Sequence, residues 1–342
     1  MSTAIRCTKK AEGIPALDII RILSALSILL YHYTTRYDEV IGHTSDWRFL
    51  WPWGAEAVNV FFFLSGFLAI IHFRNQKFIV SLKKKAVRLY PTYWICLIIS
   101  AAVTFAFLKE ERWVGIRAFL INFTMLQSAL GVRSVDGAYW TLWYDIVFYI
   151  VVACFQASRI NKSRINRFML LWLSLAFLCL ALSGNSAYPI VLMRKALNRF
   201  LILDRIWAFV SGTMIAHLIE YKSRLSCVVL VLSIIYPLIC GNTISAILLA
   251  SVSLMVFLIC NCQTGSEVKQ TSSLVVRRGL SYMASLTYPI YLLHQNIGFA
   301  IIKLLQSRGM KGEICMLLPF LIVLLLAAGI QEQIIKRLSL AL

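Results

Sequence analysis

Residues 18–33 read DIIRILSALSILLYHY. The stretch is apolar enough to sit in a lipid bilayer, yet it carries Asp18, Arg21 and His32. A charged group at mid-bilayer depth costs about 2.5–3.5 kcal/mol on insertion scales, so such groups face a bundle interior or a wet cavity and do work there. Arg21 and His32 are eleven positions apart. At about 100° per residue that is three turns plus about 20°, which puts both on one helix face with a rise of about 16 Å between them. Asp18 lies three residues before Arg21 and can pair with it. One face thus carries an ion pair at one end and a titratable imidazole near the other, a group suited to act as general base or nucleophile. A plainer reading fits the same residues: Arg21 snorkels to the interface and His32 satisfies a hydrogen bond.

Four further segments carry chemistry-bearing side chains in apolar surroundings. The run FFFLSGFL at 61–68 contains Ser65 and Gly66, small residues that permit close helix approach. The run KKKAVRLYPTYW at 83–94 supplies Lys84, Lys85 and Arg88, with Pro91 expected to start a span. These cations either anchor a cytoplasmic loop or clamp phosphate, for which Arg gives bidentate pairing and Lys point charge. The run YWTLWYDIVFY at 139–149 joins an interfacial aromatic girdle, including Tyr139 and Trp140, to Asp145. Asp145 is expected about 9 Å into the span, where a carboxylate needs a partner, and His32 is expected at similar depth. In YPIYLLHQ at 288–295, Tyr288, Tyr291 and His294 recur every three residues on one side of a helix. His294 there reads first as a structural histidine.

These side chains need membrane helices to position them. Of the 342 residues 60% are hydrophobic and only 14% charged, and the mean hydropathy is +0.77. So few polar groups could not cover a soluble protein, so the expected fold is all-α, a polytopic integral membrane protein forming one embedded domain. Apolar windows fall at 16–34, 54–73, 91–108, 139–156, 168–184, 200–219, 225–240, 243–260, 284–305 and 314–335. Segment 113–130 is set apart as re-entrant or interfacial because it carries Arg117, Asn122 and Gln127. With the N-terminus inside, inner loops hold roughly 20 Lys/Arg and outer loops roughly 11. That bias predicts about ten transmembrane helices with both termini cytoplasmic: a tail at 1–15, a membrane domain at 16–335 and a tail at 336–342. The net charge of +19 then belongs to loops facing an anionic lipid surface, and no nucleic acid is expected. The nine cysteines show no metal-ligand spacing and read as packing residues, so no metal is expected.

Together these pieces resemble the integral-membrane acyltransferase family 3, in the form that O-acetylates surface polysaccharides such as O-antigen. That family opens on LDxxR with a His after ten intervening residues, matched here by Leu17, Asp18, Arg21 and His32. Its FFxLSGFL, RxYPxYW, W-[ST]-L-x-x-E-x-x-FY and YxxYLxH runs resemble 61–68, Arg88 to Trp94, Trp140 to Tyr149 and Tyr288 to His294. One departure is Asp145, where the family usually has Glu; the charge is kept on a shorter side chain.

The resemblance implies acyl transfer from acetyl-CoA, the donor substrate, to a hydroxyl of a lipid-linked or polymeric glycan. It also implies a multi-pass protein of the bacterial inner membrane, with membrane lipids around it. Lys84, Lys85 and Arg88 are then expected to hold the CoA phosphates, and Arg21 to lie just above them. His32 is expected to be the base or the acyl carrier, with Asp145 orienting it. Ser65 or Tyr139 is expected to stabilise the oxyanion. Asp18, Trp140, Tyr291 and His294 are expected as supporting positions. Two other classes use the same residues differently: a transporter of a glycan intermediate, and a non-catalytic scaffold in polysaccharide assembly.

Overall fold

A computed structural model describes residues 15–43, 49–72, 78–157, 164–184, 186–262, 274–310 and 312–340. Much of the expected N-terminal tail and of the basic loop at 159–167 lies outside the described residues. The described residues contain no strand. Seven of their helices are long and apolar enough to cross a membrane, which makes this a multi-pass architecture.

The helices are α1 (Pro15–Tyr31), α2 (Tyr37–Val40), α3 (Val58–His72), α4 (Phe78–Phe107), α5 (Lys109–Arg112), α6 (Ile116–Asn122) and α7 (Trp140–Ala157). They continue as α8 (Ile165–Ala181), α9 (Tyr188–Leu201), α10 (Ile206–Tyr221), α11 (Arg224–Ile239), α12 (Thr243–Cys262), α13 (Leu274–Ser307) and α14 (Ile314–Leu340). Each expected window overlaps one of these helices. Helices α3, α11 and α13 are not among the seven that meet the length and hydropathy measure.

Two local differences from the sequence reading have physical causes. Pro91 does not begin its helix: α4 starts at Phe78 and runs through it. A proline removes one backbone donor but its fixed φ is helical, and membrane helices tolerate the loss. Segment 113–130, set apart from the spans in the sequence, forms the seven-residue α6 followed by turns, too short to span. Residues 188–199, expected as loop, belong to the amphipathic α9; Arg194, Lys195 and Arg199 lower its hydropathy without breaking its periodicity.

The chain divides into two compact units. Unit 1 takes residues 56–84 and 144–277, with α10 at its centre. Most of α10 is buried, because glycines bring its backbone against α3. A Cβ on Gly66 would overlap the Phe209 carbonyl, and one on Gly212 the Phe63 carbonyl. Lipid supplies no hydrophobic drive for such contacts, so small residues and close packing supply the stability. Phe62, Phe148 and Phe209 stack there with ring separations of 4.4–4.6 Å.

Unit 2 takes residues 18–55, 85–143 and 278–342. Its core packs Leu29, Tyr33 and Tyr37 against Phe299, Ala300 and Ile302 of α13. Gly298 makes this possible, since a Cβ there would overlap the Tyr33 ring.

Candidate active site

His32 stands at the junction where α1 gives way to a π turn over His32–Arg36. A π turn closes i→i+5 hydrogen bonds and is wider by one residue, a device frequent at functional sites. Side chains hold it in place. Thr34 Oγ1 donates 2.7 Å to the Leu30 carbonyl. The Trp51 amide donates to Thr34 and Thr35 hydroxyls at 3.2 and 2.9 Å, and its indole N–H to Ser27 Oγ at 3.0 Å. His43 Nε2 donates to the Thr34 carbonyl at 3.1 Å, leaving Nδ1 to accept from Gln306 Nε2 at 2.9 Å. His43 lies beyond the end of the span, and burial pulls its pKa below the ordinary value.

The partner of His32 within unit 2 is His294. Its Nε2 lies 3.1 Å from His32 Nδ1, with the rings edge to face at 4.6 Å. His32 Nδ1 is also 2.9 Å from the Ile28 carbonyl, and His294 Nδ1 is 2.8 Å from the Tyr291 carbonyl. A carbonyl only accepts, so in neutral His294 the proton is on Nδ1 and the lone pair on Nε2. His32 Nδ1 must then be the N–H donor to both Ile28 and His294. The remaining lone pair of His32 sits on Nε2, poised to take a proton. His294 is buried at 1% exposure, whereas His32 retains partial exposure. That contrast suits a supporting ring behind a reacting one.

A buried polar network fixes α13 beside this pair. Tyr139 is fully buried, and its hydroxyl donates 2.9 Å to the Leu292 carbonyl. Four residues on, the Asn296 amide N–H donates 3.0 Å to Asp136 Oδ2. The i, i+4 partners Leu292 and Asn296, which flank His294, are thus each gripped by a side chain from residues 136–139. Asp136 Oδ1 accepts from the Ala138 amide at 2.9 Å, capping the turn before α7. Asn296 Nδ2 donates to Thr104 Oγ1 and the Val135 carbonyl, both at 2.8 Å. Its Oδ1 accepts from Arg112 Nε at 2.6 Å. The Arg112 guanidinium also covers the Phe299 ring at 5.1 Å. Burial draws its pKa down and the Asp136 charge opposes this. Tyr291 hydroxyl lies 2.9 Å from Thr141 Oγ1 and 3.0 Å from the Ala138 carbonyl.

The other expected residues are placed as follows. Asp18 and Arg21 pair at 3.3 Å, as their spacing predicts. Lys84 and Arg88 are exposed and Lys85 half-buried on the first turns of α4. Trp140 opens α7, half-buried. Ser65 sits on α3 and Asp145 on α7, both half-buried in unit 1. Since His32 belongs to unit 2, its pairing with Asp145 rests on the sequence reading alone.

Asp136, Asn296 and Arg112 escape the sequence reading. The first two had a signal: Asp-Gly before an aromatic helix start marks an Asx cap, and an amide two residues after His294 is a costly intramembrane polar group. Arg112 lies in the charged run KEER and has no such signal.

A family model described as an acyltransferase domain matches residues 14–330. No curated protein and no solved structure matches the chain.

Proposed function

The chain belongs to acyltransferase family 3, and from that membership we propose that it transfers an acetyl group from cytoplasmic acetyl-CoA to a hydroxyl of a surface glycan. It acts as a multi-pass protein of the bacterial inner membrane, with ten spans and both termini in the cytoplasm. The acceptor is a lipid-linked or polymeric sugar of the O-antigen, capsule or exopolysaccharide class. The observation that carries this reading is the His32–His294 pair, whose hydrogen bonds leave His32 Nε2 as the open base.

In this reading Lys84, Lys85 and Arg88 hold the donor phosphates. His32 Nε2 takes the proton of the acceptor hydroxyl as its oxygen attacks the thioester carbonyl. The C–S bond breaks, and the departing thiolate takes that proton from the imidazolium, yielding the O-acetyl ester and CoA thiol. His294 Nε2 accepts from His32 Nδ1–H throughout and steadies the imidazolium, the office a carboxylate fills in hydrolase triads. Asp145 is expected to add negative charge for the same purpose, and Ser65 to stabilise the oxyanion; Tyr139 is not free for that role, because its one hydroxyl proton is donated to the Leu292 carbonyl.

The test compares O-acetyl content of the surface glycan in a deletion strain carrying either wild-type protein or His32→Ala, at equal membrane abundance. The expected loss is about 10²–10⁴-fold, the usual worth of a general base. Asp145→Asn is expected to lose activity in the same assay. Full O-acetylation with His32→Ala would sink the mechanism. Loss of the whole glycan in the deletion strain would favour a transporter or assembly role.

A further inference from the structure

Unit 1 holds a cavity of about 490 Å³ that the acyl-transfer chemistry above does not use. It lies where α8 and α11 end and α10 and α12 begin. Its volume falls within the ~300–1,000 Å³ of ordinary small-molecule sites. The wall is mixed rather than apolar: Arg194, Asn198, Asp204, Arg205, Trp207 and Tyr236 all contribute to it.

The polar part of the wall is rigidly built. Tyr144 hydroxyl sits 2.9 and 3.1 Å from the two Asp204 oxygens. The Trp207 indole N–H donates 2.9 Å to the Asp204 carbonyl. Arg205 reaches Asn59 Oδ1 at 3.3 Å and Glu56 at 3.9 Å. Asn59 is held in turn by Glu56 at 2.8 Å and Ser245 at 2.9 Å. The turn that presents Asp204 and Arg205 begins at Ile202, with a left-handed φ of 50°. A β-branched residue pays strain for that conformation, and such strain concentrates where geometry serves a ligand.

Charge and shape narrow the occupant. Two guanidinium groups, Arg194 and Arg205, are balanced by the Asp204 carboxylate in the wall and the Glu56 carboxylate behind it. A site for CoA phosphates would carry a cationic excess, and a lipid-tail site would lack fixed charges. Donors and acceptors in balance, beside the Trp207 and Tyr236 rings at 6.5 Å separation, suit a neutral ring with many hydroxyls. Guanidinium and amide groups donate to its oxygens, the carboxylate and amide oxygen accept from its hydroxyls, and aromatic surface meets its C–H face. In the proposed orientation this end of unit 1 faces outward.

We propose that this cavity is a subsite for one or two neutral sugar residues of the acceptor glycan. The proposal rests on the acceptor being a glycan, and it does not require the sugar held here to be the one acylated.

The probe is an oligosaccharide released from the producing cell's own surface glycan, titrated calorimetrically onto the full-length protein in nanodiscs without any acyl donor. We expect saturable binding to wild type, weakened at least tenfold by Arg194→Gln and by Asp204→Asn, and no competition from CoA. Arg194 lies on amphipathic α9 and is only half-buried, so its variant keeps the test open if Asp204→Asn does not fold. No binding to wild type, undiminished affinity in Arg194→Gln, or displacement by CoA would each overturn the proposal. Because the donor is absent, these outcomes are separate from those of the His32→Ala experiment.

Discussion

His32 and His294 stand 262 positions apart in sequence and 3.1 Å apart in space. The proton inventory of that contact follows from two carbonyls, Ile28 and Tyr291, which can only accept. Both nitrogens of His294 and Nδ1 of His32 are therefore committed, and only His32 Nε2 is left without a partner among these contacts. Removing His294 leaves His32 Nδ1–H with the Ile28 carbonyl alone, so the ring is less firmly aimed. We expect His294→Ala to lower kcat about 10²-fold, the scale of losses from misplacing a catalytic group, with KM for acetyl-CoA little changed. A carboxamide oxygen can still accept from Nδ1–H, so His294→Gln should recover part of the loss. Steady-state release of CoA thiol from purified variants reads both. Equal activity of His294→Ala and wild type would show that the second ring plays no part.

Helix geometry explains how the two rings come to meet. The π turn at 32–36 widens the end of α1, and Gly298 lets α13 come up against Tyr33. Leu292 and Asn296, gripped by Tyr139 and Asp136, hold the intervening turn that carries His294. A methyl group on Gly298 would have to displace the Tyr33 ring, which is fully buried. Overpacking of this kind costs about 1–3 kcal/mol. Gly298→Ala is thus expected to lower the thermal midpoint and to cut acyl transfer at least tenfold, because the residue moved is the neighbour of His32. Gly329→Ala serves as the control: it also sits in unit 2, and a Cβ there meets open space. A Gly298→Ala protein as active as the control would refute the close-approach argument.

Across the whole molecule, the proposed orientation rests on where the basic residues fall. The cluster at 83–88 and the end of α14, which carries Lys336 and Arg337, are both expected in the cytoplasm by their Lys/Arg content. A reporter that fluoresces only in the cytoplasm should therefore be bright when fused after residue 342 and dark when fused after Gly309, between α13 and α14. The opposite pattern would invert the molecule and move His32 to the cytoplasmic half.

The sequence alone determined the class of the molecule, because apolar windows, charge bias and intramembrane ionisable residues are local properties of the chain. It also determined the Asp18–Arg21 pair, three residues apart on one helix, and singled out His32 from the cost of its setting. Single windows could not decide that α4 passes through Pro91 or that 188–199 is helical, since neither a proline nor scattered cations end a helix by themselves. What only the tertiary structure decided is partnership. His294, a structural histidine by its local pattern, meets His32 only when α13 packs on the π turn. Asp136, Asn296 and Arg112 form one network from three distant segments. Periodicity along a chain reports which face of a helix is polar; it carries no information about which other face arrives to meet it.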